Sequence, residues 1–312
     1  AASVELFKAA TALCTDINNT RMQRTLKTVL ATPRPHMVGD GLHVIPVLND
    51  KAFTKEPSPF LMFDYAAPRK FEPTTRKLGV GKHPHRGFET VTVAFQGEVE
   101  HADSVGNHGV IREGDVQWMT AARGIVHEEY HSRDFAQRGG VLEMAQLWVN
   151  LPAAHKMSPP RYQGIVAADI PNVPLGGEGD GFVRVIAGSF RGVSGPAKTF
   201  SPVILWDVRI GNPGKSFDLE LPESHNVTVF VRRGQLAIGD RKDKPVGPLA
   251  VAILNKGGSV LKIEALEKDT AILILAGEPI DEPIAARGPF VMNTQRELQQ
   301  AFEDYQSGRF GK

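Results

Sequence analysis

Two stretches of this chain, offset by 137 residues, repeat one pattern of a strand, a glycine turn and a second strand. The first is ETVTVAFQGEVEH at 89–101, the second is NVTVFVRRGQLAI at 226–238, and Gly97 aligns with Gly234. Self-similarity of this kind indicates that a structural unit is duplicated along the chain. The sequence has 312 residues, which is long enough for two domains of ordinary size. The repeat therefore predicts two related domains.

Both halves contain short apolar or alternating segments separated by turn-forming residues, which is typical of strands in a sandwich or barrel. In the first half these are LHVIPVL (42–48), FETVTVAF (88–95), GEVEHAD (97–103), DVQWMT (115–120) and MAQLWVNL (144–151). In the second half they are FVRVIAGSF (182–190), VILWDVRI (203–210), VTVFVRRGQLAIG (227–239), LAVAIL (249–254), SVLKIEAL (259–266) and TAILILAG (270–277). The proline-rich segment between the halves lacks periodicity, which predicts a linker. We therefore predict an all-β protein.

The two ends of the chain show helical patterns instead. Residues 3–30 have apolar side chains at helical spacing, which predicts an N-terminal helical extension. A targeting peptide is the alternative, although Glu5 and Asp16 are unusual in a transit peptide and no continuous apolar signal core is present. Residues 293–310 predict a C-terminal helix capped by Thr294 or by the asparagine before it. We expect its protein-facing side to contain Leu298, Ala301, Phe302 and Tyr305.

Two short strings in the first half, HPH at 83–85 and HEE at 127–129, each place two metal-ligating residue types two positions apart. Side chains at such positions of a strand point to the same face. If the two strands are neighbours, three imidazoles and one carboxylate converge from His83, His85, His127 and Glu129. This ligand set suits Fe(II), Mn(II), Ni(II) or Cu(II). The absence of a nearby cysteine argues against a structural zinc site.

Other polar residues near these strings have simpler interpretations. Glu128 should point to the opposite face from its two neighbours, towards solvent or a salt bridge. Three histidines outside the paired pattern are expected to form hydrogen bonds rather than metal bonds, namely His101, His108 and His131. Glu89 follows His85 by four residues, and it is either a ligand or a partner that orients an imidazole from the second shell.

The offset of the repeat also predicts which half binds metal. Position 83 maps to Glu220 and position 85 maps to Pro222, so the second half lacks the HxH string. Nine of the ten histidines precede residue 156, and only His225 follows. The comparison predicts that the second domain keeps the architecture without the metal.

The bulk composition excludes several classes of protein. A net charge of +1 argues against a polybasic nucleic-acid binder. No apolar run approaches the ~20 residues that a membrane-spanning helix needs. The single cysteine, Cys14, cannot form an internal disulfide, which favours a reducing compartment such as the cytoplasm. Phosphate-binding GxxxxGK[ST] and nucleophile GxSxG motifs do not occur in the sequence.

Four motifs are distributed over the chain from about residue 40 to the end: HPHRGFETVT, HADSVGNHGVIREGDVQWMTAARGIVHEE, LWVNLP, and AGEPIDEPIAARGPFVMNT with GRFG behind it. They closely resemble the pirin family of the cupin superfamily. The resemblance implies a bicupin, with two jelly-roll β-barrels packed face to face and a metal only in the first. The expected divisions are an N-terminal extension (1–30), a metal-binding cupin domain (31–155), a linker (156–174), a cupin domain without metal (175–292) and a C-terminal helix (293–312).

The resemblance also selects the carboxylate ligand. Cupins in general use HxH(x)3E, here ending in Glu89, with the glutamate as a ligand, whereas pirins use the carboxylate two residues after the third histidine. The implied ligands are His83, His85, His127 and Glu129. Glu129 is also the implied catalytic proton acceptor, and Glu89 moves to the second shell. The second cupin motif, PxGxxH, departs only in having Ala122 in place of proline. The implied cofactor is one divalent transition metal, with Fe(II) expected and Mn, Ni, Cu or Zn as alternatives.

Two activities from different classes follow from the resemblance. Bacterial pirin-like proteins are described as quercetin 2,3-dioxygenases, which open a flavonol with O2 and release carbon monoxide. Eukaryotic pirin is described as a nuclear, iron-dependent co-regulator of transcription factors. The first implies a flavonol-like aromatic substrate and O2, the second a protein partner; neither requires direct contact with nucleic acid or a membrane. The corresponding compartment is the cytoplasm, or the nucleus for a eukaryotic protein.

Overall fold

The computed structural model describes residues 22–48 and 55–310 of the chain. In the first half, its elements are β1 (Leu26–Ala31), β2 (His36–Val38), β3 (Leu42–Leu48), β4 (Phe60–Phe71), β5 (Gly79–His85), β6 (Phe88–Gln96), β7 (Val99–Asp103), β8 (His108–Ile111), β9 (Val116–Thr120), β10 (Ile125–His131), α1 (Arg133–Arg138) and β11 (Gly140–Asn150).

In the second half, the elements are β12 (Arg161–Ile165), β13 (Asn172–Pro174), β14 (Gly181–Ala187), β15 (Ser189–Phe190), β16 (Val193–Ser194), β17 (Val203–Ile210), β18 (Ser216–Glu220), β19 (Asn226–Arg233), β20 (Leu236–Ile238), β21 (Ala250–Leu254), β22 (Val260–Ala265), β23 (Thr270–Gly277), β24 (Ala285–Arg287), β25 (Phe290–Met292) and α2 (Gln295–Gln306). No helix in these described ranges is long and apolar enough to cross a membrane.

The first barrel consists of a seven-stranded sheet facing a four-stranded sheet. The strand orders are β12-β9-β6-β11-β4-β3-β2 and β5-β10-β7-β8. Because side chains alternate along a strand, one face of the large sheet lines the barrel and the other points away. On β6, Thr92 points inward to Glu129, whereas Val91 and Val93 point outward into an apolar core.

The second barrel repeats this arrangement with strands β1-β21-β19-β23-β17-β14-β13 and β18-β22-β20. Strands β9-β6-β11-β4-β3-β2 of the first large sheet correspond in order to β21-β19-β23-β17-β14-β13 of the second. In the small sheets, β5-β10-β7 correspond to β18-β22-β20. The predicted fold, an all-β chain with two jelly-roll barrels, is confirmed.

The outward faces of the two large sheets form one apolar core between the barrels. Val91 and Leu147 of the first sheet lie in the same buried cluster as Leu205 and Leu273 of the second. Removal of such side chains from water stabilises a fold by ~25 cal/mol per Å² of apolar surface. The barrels are therefore packed face to face.

Each end of the described chain joins the barrel from which it is remote in sequence. β1 pairs with β21 at the edge of the second large sheet, in the place that β12 takes beside β9 in the first. At the other end, Arg86 N donates to Pro289 O at 3.2 Å and Val291 N donates to Arg86 O at 3.0 Å, which fixes the C-terminal segment against the first barrel. The interval 156–174 contributes β12 to the first sheet and β13 to the second, structure that its lack of periodicity did not predict.

The prediction of an N-terminal helix over 3–30 is wrong where it can be compared. Residues 1–21 lie outside the described residues, and Leu26–Ala31 form a strand. Thr28 and Val29 are β-branched and suit a strand. Pairing with β21 also satisfies backbone groups that β21 would otherwise expose at the sheet edge. This long-range pairing overrides the local helical pattern.

The C-terminal helix is confirmed as α2. The Thr294 hydroxyl accepts a hydrogen bond from Glu297 N at 3.2 Å, and the Glu297 carboxylate accepts one from Thr294 N at 2.9 Å. This reciprocal capping box satisfies backbone donors at the helix start. Leu298 and Ala301 are buried as expected, whereas Tyr305 is 39% exposed.

Candidate metal centre

Three imidazoles converge at one end of the first barrel. β5 and β10 are antiparallel neighbours, and His127 lies directly opposite His83 in their register. The ring centroid of His83 is 4.2 Å from that of His127 and 4.8 Å from that of His85. One ligand atom from each of the three histidines lies within 4.8 Å of the others. The i, i+2 spacing and the pairing of the two strands together produce this convergence.

The protonation and bonding of these histidines suit a divalent metal ion. His83 Nδ1 lies 2.8 Å from the Gly81 carbonyl oxygen, which leaves Nε2 as the ligand atom. Nδ1 of His85 and both ring nitrogens of His127 are buried and have no hydrogen-bond partner in the structure. Burial, and then the neighbouring imidazoles, lower the pKa of both His85 and His127 well below the usual value. Neutral rings with unpartnered nitrogens around one point are what metal coordination requires.

Glu129 lies beside this group, two residues after His127 on the same inward face of β10. Its carboxylate accepts hydrogen bonds from Gln146 Nε2 at 3.0 and 3.3 Å. The Thr92 hydroxyl lies 3.2 Å from its Oε1. Burial raises the pKa of Glu129, and the proximity of His83 opposes this shift. Glu129 is not one of the three convergent residues, but its carboxylate faces the same cavity as His83 and His85.

A cavity of about 260 Å³ opens onto this group. Its polar lining residues are His83, His85, Glu129, Gln146 and Asp64, and its apolar lining residues are Val38, Leu42, Val44, Met62, Ala66, Val80, Met144, Trp148 and Pro289. Mostly apolar walls with a few convergent polar groups are typical of small-molecule sites. Two larger hollows, of about 460 and 520 Å³, lie on the second barrel and its loops, remote from the three histidines.

Glu89 has different contacts from those predicted for it. Gly87, with φ of +91°, separates Glu89 from β5, the strand of His83 and His85. Glu89 lies on the opposite face of β6 from Thr92. Its carboxylate accepts a hydrogen bond from the Thr120 hydroxyl at 2.6 Å and lies 3.8 Å from the Arg161 guanidinium. Among the described contacts, Glu89 therefore orients no ligand histidine. The predicted second-shell role placed it on the wrong face, since the chain turns between β5 and β6.

Four other polar residues near the ligand strings lie outside the three-histidine group, as expected. Glu128 points away from the cavity, and its carboxylate lies 3.8 Å from Lys77 Nζ. His108 is at the surface, 3.0 Å from the Glu100 carboxylate. His131 Nε2 lies 2.9 Å from a backbone carbonyl oxygen. His101 is fully buried and has no hydrogen-bond partner at either ring nitrogen, so the hydrogen bond expected of it is not observed.

Three residues that contact the site were not singled out from the sequence. Thr92 and Gln146 lie on strands whose alternation would have placed them inside the barrel. Pro289 lies 160 residues after Glu129, at the end of the second ligand string, and it reaches the cavity because the C-terminal segment crosses to the first barrel. No local signal in the sequence predicts that crossing.

The interior of the second barrel differs from that of the first at six polar positions of the site. The strand registers equate His83 with Leu219, His85 with Leu221, His127 with Leu261, Glu129 with Ile263, Thr92 with Val229 and Gln146 with Ile274. All six counterparts are buried aliphatic residues. The offset of 137 pointed one residue further on, to Glu220 and Pro222. That register is wrong by one residue, because the connection between β18 and β19, counted from Leu221 to Val229, is one residue longer than the equivalent connection between β5 and β6, counted from His85 to Thr92. The second barrel thus lacks the ligand set, as the sequence predicted.

Comparisons with known proteins agree with this fold. The Pirin family model matches residues 41–149, and the model of the Pirin C-terminal cupin domain matches residues 205–311. A Pseudomonas aeruginosa protein named "Putative quercetin 2,3-dioxygenase" is 52% identical over 275 residues, covering 88% of this chain and 94% of that protein. Pirin-1 of Arabidopsis thaliana is 37% identical, covering 75% of this chain and 78% of its own length. A crystal structure of quercetin 2,3-dioxygenase from Acinetobacter baumannii superposes with a TM-score of 0.89 and 46% identity, covering 93% of this chain and 99% of that one.

Proposed function

The chain belongs to the pirin family, and we propose that it is a metal-dependent dioxygenase that opens a flavonol such as quercetin with O2. The observation that carries the proposal is the group of three imidazoles beside a buried carboxylate, facing an apolar cavity. The similarity to proteins named for this activity supports the choice of substrate.

In the proposed centre, His83, His85 and His127 hold one divalent transition metal, with Glu129 as the fourth ligand. Fe(II) is the proposed ion, since the three-histidine, one-carboxylate set suits a redox-capable metal. The bound ion would supply Lewis-acid chemistry, lowering the pKa of a coordinated flavonol hydroxyl.

The side chains of the cavity have distinct proposed roles towards the substrate. Glu129 accepts the hydroxyl proton, because burial raises its pKa and so increases its basicity. Gln146 and Thr92 hold its two oxygens in place during this transfer. Trp148 and Met62 line the apolar wall against which the aromatic rings would pack, and they keep water from the reacting atoms.

Metal analysis combined with an oxygen-electrode assay tests the proposal. We expect about one metal ion per chain and quercetin-dependent O2 consumption in the wild-type protein, and loss of both in His83→Ala. Glu128→Ala is the matched control, since Glu128 is adjacent to both proposed β10 ligands but points outward. Metal content near zero in the wild type, or unchanged in His83→Ala, would contradict the metal centre. Full metal content without flavonol turnover would contradict the dioxygenase and favour the iron-dependent co-regulator.

A further inference from the structure

His101 is a buried imidazole that the proposed reaction does not use. It lies on β7, where its relative exposure is 0%, and neither ring nitrogen has a hydrogen-bond partner. Burial lowers its pKa to about 4, so the ring is neutral and carries one donor and one acceptor. Buried polar groups in native proteins are almost always hydrogen-bonded to protein or ordered water. An unpartnered, fully buried histidine therefore requires an explanation.

The position of His101 relates it to the metal centre. It lies opposite Glu129 in the register of β7 and β10, and its ring centroid is 5.3 Å from that of His127. Tyr162 stacks on the His101 ring, with 5.3 Å between the ring centroids and 23° between the ring planes. Gln117, also fully buried, has an unpartnered Nε2. His101, Tyr162 and Gln117 are not lining residues of the 260 Å³ cavity.

The second barrel shows that the fold does not need this polarity. Its strand registers equate His101 with Ile238 and Gln117 with Ala252, both buried among apolar neighbours. At these two positions, as at the proposed ligands, a polar residue of the first barrel corresponds to an apolar residue of the second. A residue that is polar only in the barrel with the metal-binding group is expected to serve that group.

A ligand histidine normally donates its second ring N–H to a carboxylate, a carbonyl or a water molecule, which fixes the ring orientation. His83 has such a partner in the Gly81 carbonyl oxygen, whereas His127 has none. We propose that His101 is a positioning residue for His127, linked to the non-ligating nitrogen of that ring through one bridging water molecule. The inference rests on the proposed metal centre.

Cobalt(II) titration of the full-length protein, followed by d–d absorption, tests this role. We compare His101→Ile, which installs the residue found at the equivalent position of the second barrel, with His101→Gln, which keeps a hydrogen-bonding group. His131→Gln is the control, because His131 is similarly buried but bonds to a backbone carbonyl instead. We expect His101→Ile to weaken cobalt binding by roughly 10- to 100-fold and to shift the spectrum. His101→Gln should restore most of the affinity, and His131→Gln should match the wild type.

Wild-type affinity and spectrum in a folded His101→Ile protein would overturn the inference while leaving the metal centre intact. If His101→Ile does not fold, the same titration of His101→Gln decides: a spectrum unlike that of His131→Gln, with affinity within tenfold of wild type, supports a hydrogen-bonding role, and an identical spectrum overturns it. Failure of the wild-type protein to bind cobalt would overturn both proposals. Absence of quercetin turnover would contradict only the dioxygenase, since these readouts do not depend on turnover.

Discussion

Thr92 and Val229 occupy equivalent positions in the two barrels and differ by a hydroxyl in place of a methyl group. Thr92 lies between Gln117 and Gln146 on the neighbouring strands, and Val229 lies between Ala252 and Ile274. The two side chains have nearly the same shape, so the strand backbone can be the same around both. The exchange separates what the barrel needs for folding from what the first barrel uses for chemistry.

Thr92→Val therefore tests whether the Thr92 hydroxyl positions the Glu129 carboxylate, because it removes the hydroxyl without changing the shape of the side chain. The Thr92 hydroxyl lies 2.6 Å from Gln146 Oε1 and 3.2 Å from Glu129 Oε1, and the variant loses both contacts. We expect metal content to remain at the wild-type level, while kcat for quercetin falls roughly fivefold, which corresponds to one hydrogen bond of ~1 kcal/mol. Steady-state kinetics and metal analysis check this. An unchanged kcat would show that the hydroxyl does not position the carboxylate.

Much of the site was predictable because strand alternation is a local property. The i, i+2 spacing placed the two residues of each ligand string on one face of their strand and directed Glu128 outward. Prediction failed where the chain interrupts that regularity. Gly87 adopts φ of +91° between β5 and β6, so counting four residues from His85 put Glu89 on the wrong face. A shift of one residue moves a strand side chain from one face to the other.

Long-range pairing accounts for the rest of what the sequence did not predict. The residues of β1 carry a helical pattern, yet they complete a sheet whose other strands lie more than 140 residues away. Pro289 reaches the cavity only because the C-terminal segment packs on the first barrel. Neither contact has a signal within a local window, because each depends on an edge or a surface built by another part of the chain.

The ion pair between Arg86 and Asp304 is expected to stabilise the contact of α2 with the end of β5, the strand of His83 and His85. The Arg86 side chain is 6% exposed, Nη1 lies 2.8 Å from Asp304 Oδ2, and the guanidinium lies 4.3 Å from the centre of the Phe310 ring. Breaking a buried pair leaves one charge without its partner, so Asp304→Asn should lower the free energy of unfolding by about 3 kcal/mol. Asp281→Asn is the control, since its pair with Lys55 is almost fully exposed. Equal effects in chemical denaturation would contradict this prediction.

Lys156 should make stability depend on pH in the alkaline range. Its Nζ is buried and donates to Gly87 O, Asn150 Oδ1 and Val291 O. Burial lowers its pKa to about 7, against an ordinary value of 10.5. Between pH 7 and 10.5 the unfolded chain therefore binds a proton that the folded chain does not, so the free energy of unfolding rises with pH. Below pH 7 both states are protonated and this dependence ends.

Lys156→Met removes this titration, and the comparison isolates the contribution of one residue. From pH 7 to pH 10, we expect the unfolding free energy of the wild type to rise relative to that of the variant. Denaturation curves at several pH values measure the difference. Parallel pH profiles of the two proteins would show that Lys156 keeps its ordinary pKa in the folded state.

His127→Leu is expected to have opposite effects on the metal-free and metal-loaded protein. In the metal-free state, His127 is a fully buried imidazole with two unpartnered nitrogens, and such burial is unfavourable. Leucine occupies the equivalent position, 261, in the second barrel without disruption. The variant should therefore be at least as stable as the wild type in the presence of a chelator.

With metal, the wild type gains stability in proportion to the logarithm of the ion concentration, by about 2.7 kcal/mol at 100 times the Kd. The variant should lose most of that gain. Thermal unfolding with chelator and with increasing Co(II) distinguishes a metal ligand from a structural residue. If His127 had only a structural role, its replacement would lower stability equally in both conditions.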